Sequence, residues 1–445
     1  MPASPSTARA INDRHALRLL QQEGPLTAGQ LKQFTGLSRP TVADLVERLT
    51  AAGLIAVVGE AGEQRRGPNA KVYGIVADRA HLAALDVRTE GVSVAVADLV
   101  GRVLAEASVP ITGDMGTGPA VEQAVALVER VVKEAGADRL HTVGIGAPGL
   151  IDPASGELRD SSGLPEWHRR LVAALQERLP EARVSVENET NLAALAEQRD
   201  GVARDRDTFV LLWLGHGTGA AVVLDGALRR GASGGTGEIG FLPVPGTTTL
   251  PSATDCEGGF HGLAASTAVV DLAAAHGVPA EPGQEPSAVG VVRAAVGVVR
   301  AAVGQVRGVE GGGSRSAGGL EASRPESPGE TPGPASGDEV PPSPSATPAA
   351  RFLDALADRL AVGVASVVAI LDPGCVVLGG EVGQAGGEEL ADRVRDRIAR
   401  ISPLPTEVRT TTLGGGAVLR GALLTARDRA QEELFTPGER PIQRW

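Results

Sequence analysis

Apolar residues recur with two different periods in this chain, and the change falls near residue 80. Between residues 12 and 53 they return every three or four positions, as on the buried stripe of an amphipathic helix; from His81 onward short apolar runs alternate, as in strands. One core cannot serve both patterns, and a length of 445 residues leaves room for two or three domains. Charge divides at the same place. Residues 1–78 hold nine Lys/Arg and seven Asp/Glu, a balance of +2, so that the rest of a chain with net charge −12 carries −14. A surface for nucleic acid therefore belongs in the first segment and not in the acidic remainder.

Within that segment Asn12 is placed to cap a helix carrying Ala16, Leu17 and Leu20, with Gly24-Pro25 as its stop. Thr27-Ala28-Gly29-Gln30 has the spacing of a capping box, in which hydroxyl and amide satisfy each other's backbone donors. A short helix ends near Thr35-Gly36. Ser38 then caps a third helix, with Pro40 in the first turn, where its missing N–H costs little. Val42, Leu45, Val46 and Leu49 form its buried stripe, and Gly53 is its stop. Short helix, tight turn and amphipathic helix make a helix-turn-helix. Two β-like runs, Leu54 to Val58 and Lys71 to Ile75, flank a loop with Arg65-Arg66-Gly67-Pro68-Asn69 at its tip, which reads as a wing. Ser38, Arg39, Thr41 and Arg48 lie at the start of the third helix or off its stripe and are expected to meet DNA, while Arg65, Arg66 and Lys71 serve phosphates or the minor groove. A winged helix used only for protein contacts is the alternative for this segment.

The remainder begins with Leu82 to Asp86, an alternating run at Val92, Val94 and Val96, and a return at Val103 to Val109. A helix, Ala120 to Ala135, and a strand, Thr142 to Ala147, follow. Three antiparallel strands and then alternating helix and strand open an actin-like (ribonuclease H-like) lobe. Five motifs then occur in order: Gly144-Ile145-Gly146-Ala147-Pro148-Gly149; Val186-Glu187-Asn188-Glu189-Thr190-Asn191; Gly215-His216-Gly217-Thr218-Gly219; Gly237-Glu238-Ile239-Gly240; and Asp372-Pro373 before Leu378-Gly379-Gly380. Together they resemble the ROK family (repressors, open reading frames and sugar kinases) over about residues 80–275 and 351–435, and the preceding winged helix resembles that of its repressor branch.

The resemblance implies a two-lobed body in which kinases bring sugar and ATP together, and it makes the departures informative. The family's D-x-G-G-T hairpin, which lets backbone approach phosphate, reads Asp86-Val87-Arg88-Thr89-Glu90 here. The position of the family's catalytic Asp holds Glu189, one methylene longer. Gly163 stands for the Asn before the L-P-x-W segment, Phe241 for the His after G-E-I-G, and the Glu of G-C-x-E falls near Gly262. Of the family's hydroxyl-binding set Asn188, Glu189 and Glu238 remain, as the effector residues. Its zinc site loses that His and most of a cysteine run, retaining Cys256 beside His261 with Phe260 at the last cysteine position, so no metal and no cofactor is expected.

Residues 280–350 stand apart. Val291-Val292-Arg293-Ala294-Ala295-Val296-Gly297 repeats unchanged as Val298 to Gly304, a tandem duplication compatible with a short helix, while Gly308 to Ala349 is rich in Gly, Pro, Ser and Glu. That composition buries too little to order a chain, and the segment is expected to be a disordered insertion. The domains thus run 1–78, 79–279, 280–350 and 351–445. With two cysteines, no apolar leader, and a longest apolar stretch, Ala361 to Leu371, ended by Asp372-Pro373, a cytoplasmic protein without membrane attachment is expected. The sequence reading is a non-enzymatic repressor: a homodimer on an inverted-repeat operator in double-stranded DNA, responding to a sugar-like effector in a degenerate kinase cleft. The alternative is an ATP-dependent sugar kinase with an accessory DNA-binding domain.

Overall fold

A computed structural model describes residues 5–61, 69–159, 164–252, 257–280, 286–311 and 347–435. The chain forms two units: Met1–Asp200 with Leu228–Thr236 and Gly416–Trp445, and Gly201–Ala227 with Gly237–Gly415.

The first unit opens with α1 (Pro5–Glu23), β1 (Leu26–Thr27), α2 (Ala28–Thr35), α3 (Arg39–Ala51), β2 (Ile55–Ala61) and β3 (Ala70–Ile75). The strands pair in the order β1-β3-β2, and all contacts between them are antiparallel. Leu17, Leu31, Leu45 and Ile55 close a small core at no more than 1% exposure. The helix expected to start at Asn12 starts at Pro5 instead, so Asn12 lies inside it. Proline is suited to a first helical turn, and Ala8 and Ala10 extend the helix upstream of the apolar stripe that marked it.

The same unit continues with β4 (His81–Arg88), β5 (Gly91–Asp98), β6 (Val103–Pro110), α4 (Thr117–Glu134), β7 (Leu140–Ala147), α5 (Trp167–Arg178), β8 (Arg183–Asn188) and α6 (Glu189–Arg199). The sheet order is β6-β5-β4-β7-β8; β4 to β6 are antiparallel, and β7 runs parallel to β4 and β8. One face is covered by α4 and α5. Against the other lie α6 and α12 (Ala417–Leu434), which returns from the far end of the chain. Gly144 belongs to strand β7 itself. A Cβ there would lie 2.6 Å from the Ala422 carbonyl oxygen, and one on Gly146 would lie 2.5 Å from Val418 Cγ1. These glycines are the clearance that α12 needs to pack on the sheet.

The second unit contains a sheet of order β11-β10-β9-β12-β13. Its strands are β9 (Phe209–Leu214), β10 (Thr218–Leu224), β11 (Ala227–Arg229), β12 (Cys375–Gly379) and β13 (Glu407–Thr410), and β12 is parallel to both neighbours. Its helices are α7 (His261–Ala264), α8 (Ser266–Ala275), α9 (Ala288–Gly311), α10 (Pro348–Leu371) and α11 (Gly380–Ile401). Phe260, at the position of the missing cysteine, is fully buried with its ring against Gly363 of α10, so apolar packing fills that place. Cys375 is buried too, and desolvation pushes its thiol up to about 11. Among the described residues no helix is long and apolar enough to cross a membrane.

The expected insertion begins too early at residue 280. Helix α9 occupies residues that were assigned to it, and Val291, Val292, Ala295, Val296 and Val299 are 0–5% exposed within the core of the second unit. The duplicated heptad explains how. Seven residues turn a helix through about 700°, only about 20° short of two turns, so a copy nearly preserves the face it repeats. Val292 and its repeat Val299 both face the core, whereas Val291 is buried and its repeat Val298 is 51% exposed. Residues 312–346 lie outside the described residues.

Candidate nucleic-acid interface and the kinase-like motifs

The turn into α3 is built by local chemistry. Thr27 and Gln30 form the reciprocal capping box: the Gln30 N–H donates to Thr27 Oγ1 at 3.2 Å, and the Thr27 N–H donates to Gln30 Oε1 at 2.9 Å. Gly36 ends α2 in the left-handed region at φ 68°. Ser38 caps α3, its Oγ accepting from the Thr41 N–H at 3.3 Å and lying 2.7 Å from Thr41 Oγ1. Val42, Leu45, Val46 and Leu49 turn inward, as their spacing requires. Ser38 and Arg39 are exposed at the helix start, Thr41 is half-buried, and Lys71 is exposed on β3. Arg65 and Arg66 lie outside the described residues.

Arg48 departs from expectation. Its Nη2 and Nε donate to the Asp13 carboxylate of α1 at 2.6 and 3.3 Å, and Nη1 pairs with Asp44 one turn back. The Asp13 hydrogen bond, with Asp44 behind it, raises the arginine further above its ordinary range. Arg48 is thus a brace between α1 and α3, and the acidic Asp44 is neutralised within the fold. The sequence showed Arg48 to be off the stripe, but its partner is 35 residues away and carried no local signal.

In the body, the hairpin that replaces the glycine loop is closed by its own side chains. Arg88 Nε and Nη2 donate to Asp86 Oδ2 at 3.0 and 2.8 Å, and Thr89 Oγ1 donates to Glu90 Oε2 at 2.7 Å. Asp86 is 4% exposed. Behind the hairpin Trp167 and His168 are buried at the start of α5, ring centroids 4.3 Å apart and edge to face. Desolvation lowers His168 to about 4, so the imidazole is neutral. Gly163 lies outside the described residues.

Asn188 is consumed by structure. Its Oδ1 accepts from the Thr190 and Asn191 N–H groups at 2.9 and 3.2 Å, capping α6, and its Nδ2 donates to the Gly149 carbonyl at 3.1 Å and to Glu189 Oε2 at 2.9 Å. It fixes Glu189 at the first position of α6. In the second unit Glu238 is open to solvent yet crowded by protein, and desolvation raises its carboxyl above the usual range. The preceding Gly237 has φ 91°, and a Cβ there would lie 1.9 Å from the Ala220 carbonyl oxygen, so this glycine is required by the turn itself. Phe241 is 39% exposed where the family's histidine would stand.

In the second unit a carboxylate lies close against two glycine turns. A Cβ on Gly215 would lie 3.1 Å from Glu381 Oε2, and one on Gly415 would lie 2.6 Å from Oε1. Such turns present backbone N–H groups and suit phosphate when empty. A carboxylate already set against both makes them poor hosts for another negative charge. The sequence motifs did not single out Glu381, because its nearness to two distant turns comes from the packing of α11. Among the described residues, no group of three or more His, Cys, Asp or Glu is placed to hold a metal ion.

These parts define a winged helix-turn-helix joined to a body with the sugar-kinase fold. Residues 11–67 match the MarR family model and residues 82–280 match the ROK family model, so the chain carries a ROK-family domain behind a MarR-type winged helix. Among curated relatives, the DNA-binding transcriptional dual regulator NagC of Escherichia coli K12 is 27% identical over 244 residues, 53% of this chain and 58% of that protein. The chain therefore spans a little over half the length of that relative in the match. A solved ROK family transcriptional regulator described as a homologue of the E. coli MLC protein shares the fold, with TM-score 0.67, 20% identity and coverage of 96% of this chain and 98% of that one. The ROK hexokinase of Thermus thermophilus is 26% identical, with TM-score 0.53 over 78% of this chain and 99% of its own.

Proposed function

We propose that this protein is a DNA-binding transcription regulator that acts as a repressor, with a body that senses a small molecule and does not phosphorylate it. The observation that carries the reading is the start of α3, where Ser38 and Arg39 are exposed on a firmly capped helix in a winged fold. Lys71 on the wing strand adds a phosphate-directed cation. A likeness to NagC supports the same reading. Against phosphoryl transfer stand the Asp86–Arg88 pair, which replaces an open phosphate loop, and Glu381 against the glycine turns. The effector proposed is sugar-like. Glu189 and Glu238 keep carboxylates that accept hydroxyl hydrogens, and Asn188 acts by fixing Glu189. A homodimer presenting two α3 helices to an inverted repeat fits the winged fold.

The test is footprinting on DNA upstream of the protein's own gene and its neighbours. A protected inverted repeat is expected, and no protection at low salt overturns the reading. The likeness to the hexokinase favours the kinase alternative, and an assay with ATP, Mg²⁺ and a hexose panel separates the two. No sugar phosphate is expected; steady turnover would return the body to catalysis.

A further inference from the structure

A cavity of about 490 Å³ opens within the first unit, between the first helix of the winged domain and the helices α6 and α12 of the body. Its walls carry Arg14 and Arg18 from α1, and Arg199, Arg427 and Asp428 from α6 and α12. Four guanidinium groups face two carboxylates here, the second being Glu432. Asp428 is committed to the walls: it pairs with Arg199 at 3.0 Å through one oxygen and with Arg427 at 3.0 Å through the other. Arg427 is also held by packing, its stem 3.2 Å from where a Cβ of Gly101 would be, and its side chain is 15% exposed. Arg18 is exposed and, among the described residues, forms no ion pair.

The seam beside the cavity is polar and specific. Gln431 Nε2 donates to Gln21 Oε1 at 2.8 Å and to the Leu99 carbonyl at 2.9 Å, while Gln21 Nε2 donates to the Val100 carbonyl at 3.1 Å. These bonds hold α1 on the body. The cavity beside them has the size of a small-molecule site, and its charge selects an anion. Arginine forks match the planar and tetrahedral oxygens of carboxylate and phosphate, and pre-oriented forks lose little freedom on binding.

We infer that this cavity binds a small phosphate-bearing metabolite, and that the ligand clamps the DNA-binding domain to the body by drawing Arg14 and Arg18 toward Arg199 and Arg427. The phosphate joins the two walls through one group, with Arg18 as the exposed arginine of the α1 wall. A ligand that stiffens this seam changes the freedom of α3 on DNA, and DNA must change the affinity for the ligand by the same factor. This second half rests on the regulator reading above; the binding site does not.

Calorimetric titration of the full chain tests the site. Inorganic phosphate should bind saturably, glucose 6-phosphate more tightly, and glucose through this site not at all. Arg18→Gln and Arg199→Gln should each weaken binding of both phosphate probes at least tenfold. Arg18 is exposed, so its variant keeps the fold and supplies the decisive comparison. Absence of saturation by inorganic phosphate, or unchanged affinity in both variants, overturns the inference. Fluorescence anisotropy on an operator fragment then tests the clamp. Glucose 6-phosphate should shift the DNA dissociation constant of the wild type severalfold and that of Arg18→Gln little. If phosphate binds and DNA affinity stays put, the clamp is refuted while the site stands. If the chain binds no DNA, the regulator reading fails and calorimetry still decides the site. If Arg18→Gln and Arg199→Gln instead flatten the salt dependence of DNA binding without phosphate present, the arginines grip the DNA backbone and the inference falls.

Discussion

Replacing Arg48 by alanine should loosen the winged domain from within and leave the number of DNA phosphates it contacts unchanged. Two charge-assisted hydrogen bonds, at 2.6 and 3.3 Å, join Arg48 to an Asp13 whose side chain is 14% exposed, while Arg48 itself is 30% exposed. A hydrogen bond to a charged group contributes about 1.5–3 kcal/mol when well buried; with solvent at the arginine, a coupling of about 1–2 kcal/mol for the pair is the reasonable magnitude. Asp13→Ala should cost less than Arg48→Ala, because Asp44 still holds the arginine. The four proteins of the double-mutant cycle should be compared by hydrogen exchange in peptides from α1 and α3, which reports local opening free energy without a global transition. In parallel, the slope of log affinity for the operator against log salt should be the same in all four. A phosphate-contacting arginine would instead lower that slope by about 0.9 in Arg48→Ala and leave Asp13→Ala untouched. A coupling below about 0.3 kcal/mol, or that selective loss of slope, refutes the brace.

Other expectations follow from single residues. Arg39→Ala should weaken specific operator binding by about 1–3 kcal/mol in competition assays, whereas Lys71→Ala should lower the salt slope by about 1 and affect all sequences alike. His168 is lowered from 6.5 to about 4 by burial. Above pH 6.5 both folded and unfolded chains hold it neutral; below, the unfolded chain takes up a proton that the fold excludes. Stability should therefore fall as pH drops from 6.5 toward 4, by up to about 3 kcal/mol, and His168→Phe should flatten that part of the profile of urea midpoint against pH. Val292→Ala, at a fully buried position of α9, should destabilise the second unit by about 2–3 kcal/mol in urea unfolding; a neutral result would return this face of α9 to the surface.

What could be read from the sequence was what neighbouring residues decide. The capping box at Thr27 and Gln30, the cap at Ser38 and the stripe from Val42 to Leu49 each act within one or two turns, and all were legible. The order of strands and helix from His81 to Ala147 followed from alternation and periodicity. Long-range partners were not legible. Arg48 stands off the stripe whether it meets DNA or Asp13, and only folding brings α1 alongside. Gly144 and Gly146 stood out as motif glycines, yet what requires them is the distant α12. The repeat at Val291 to Gly304 was legible as a short helix but was grouped with the Pro- and Gly-rich stretch beyond it, although a Val/Ala face at helical spacing can be buried without aromatics. Of the residues expected to meet DNA, Ser38, Arg39, Thr41 and Lys71 are placed on the winged domain, Arg48 is engaged by Asp13 and Asp44, and Arg65 and Arg66 are outside the described residues.

The return of α12 to the first unit sets the timing of assembly. Gln431, which holds Gln21 of the winged domain, and the α12 residues that pack on β4 and β7 are made only after the whole second unit has been synthesised. The winged domain can form early, from local contacts, but its seat on the body is completed only once α12 has followed the second unit. A chain cut short before residue 417 would carry a winged domain without the helix that holds it in place. Any signal passed through the seam thus depends on the chain having been read through α12.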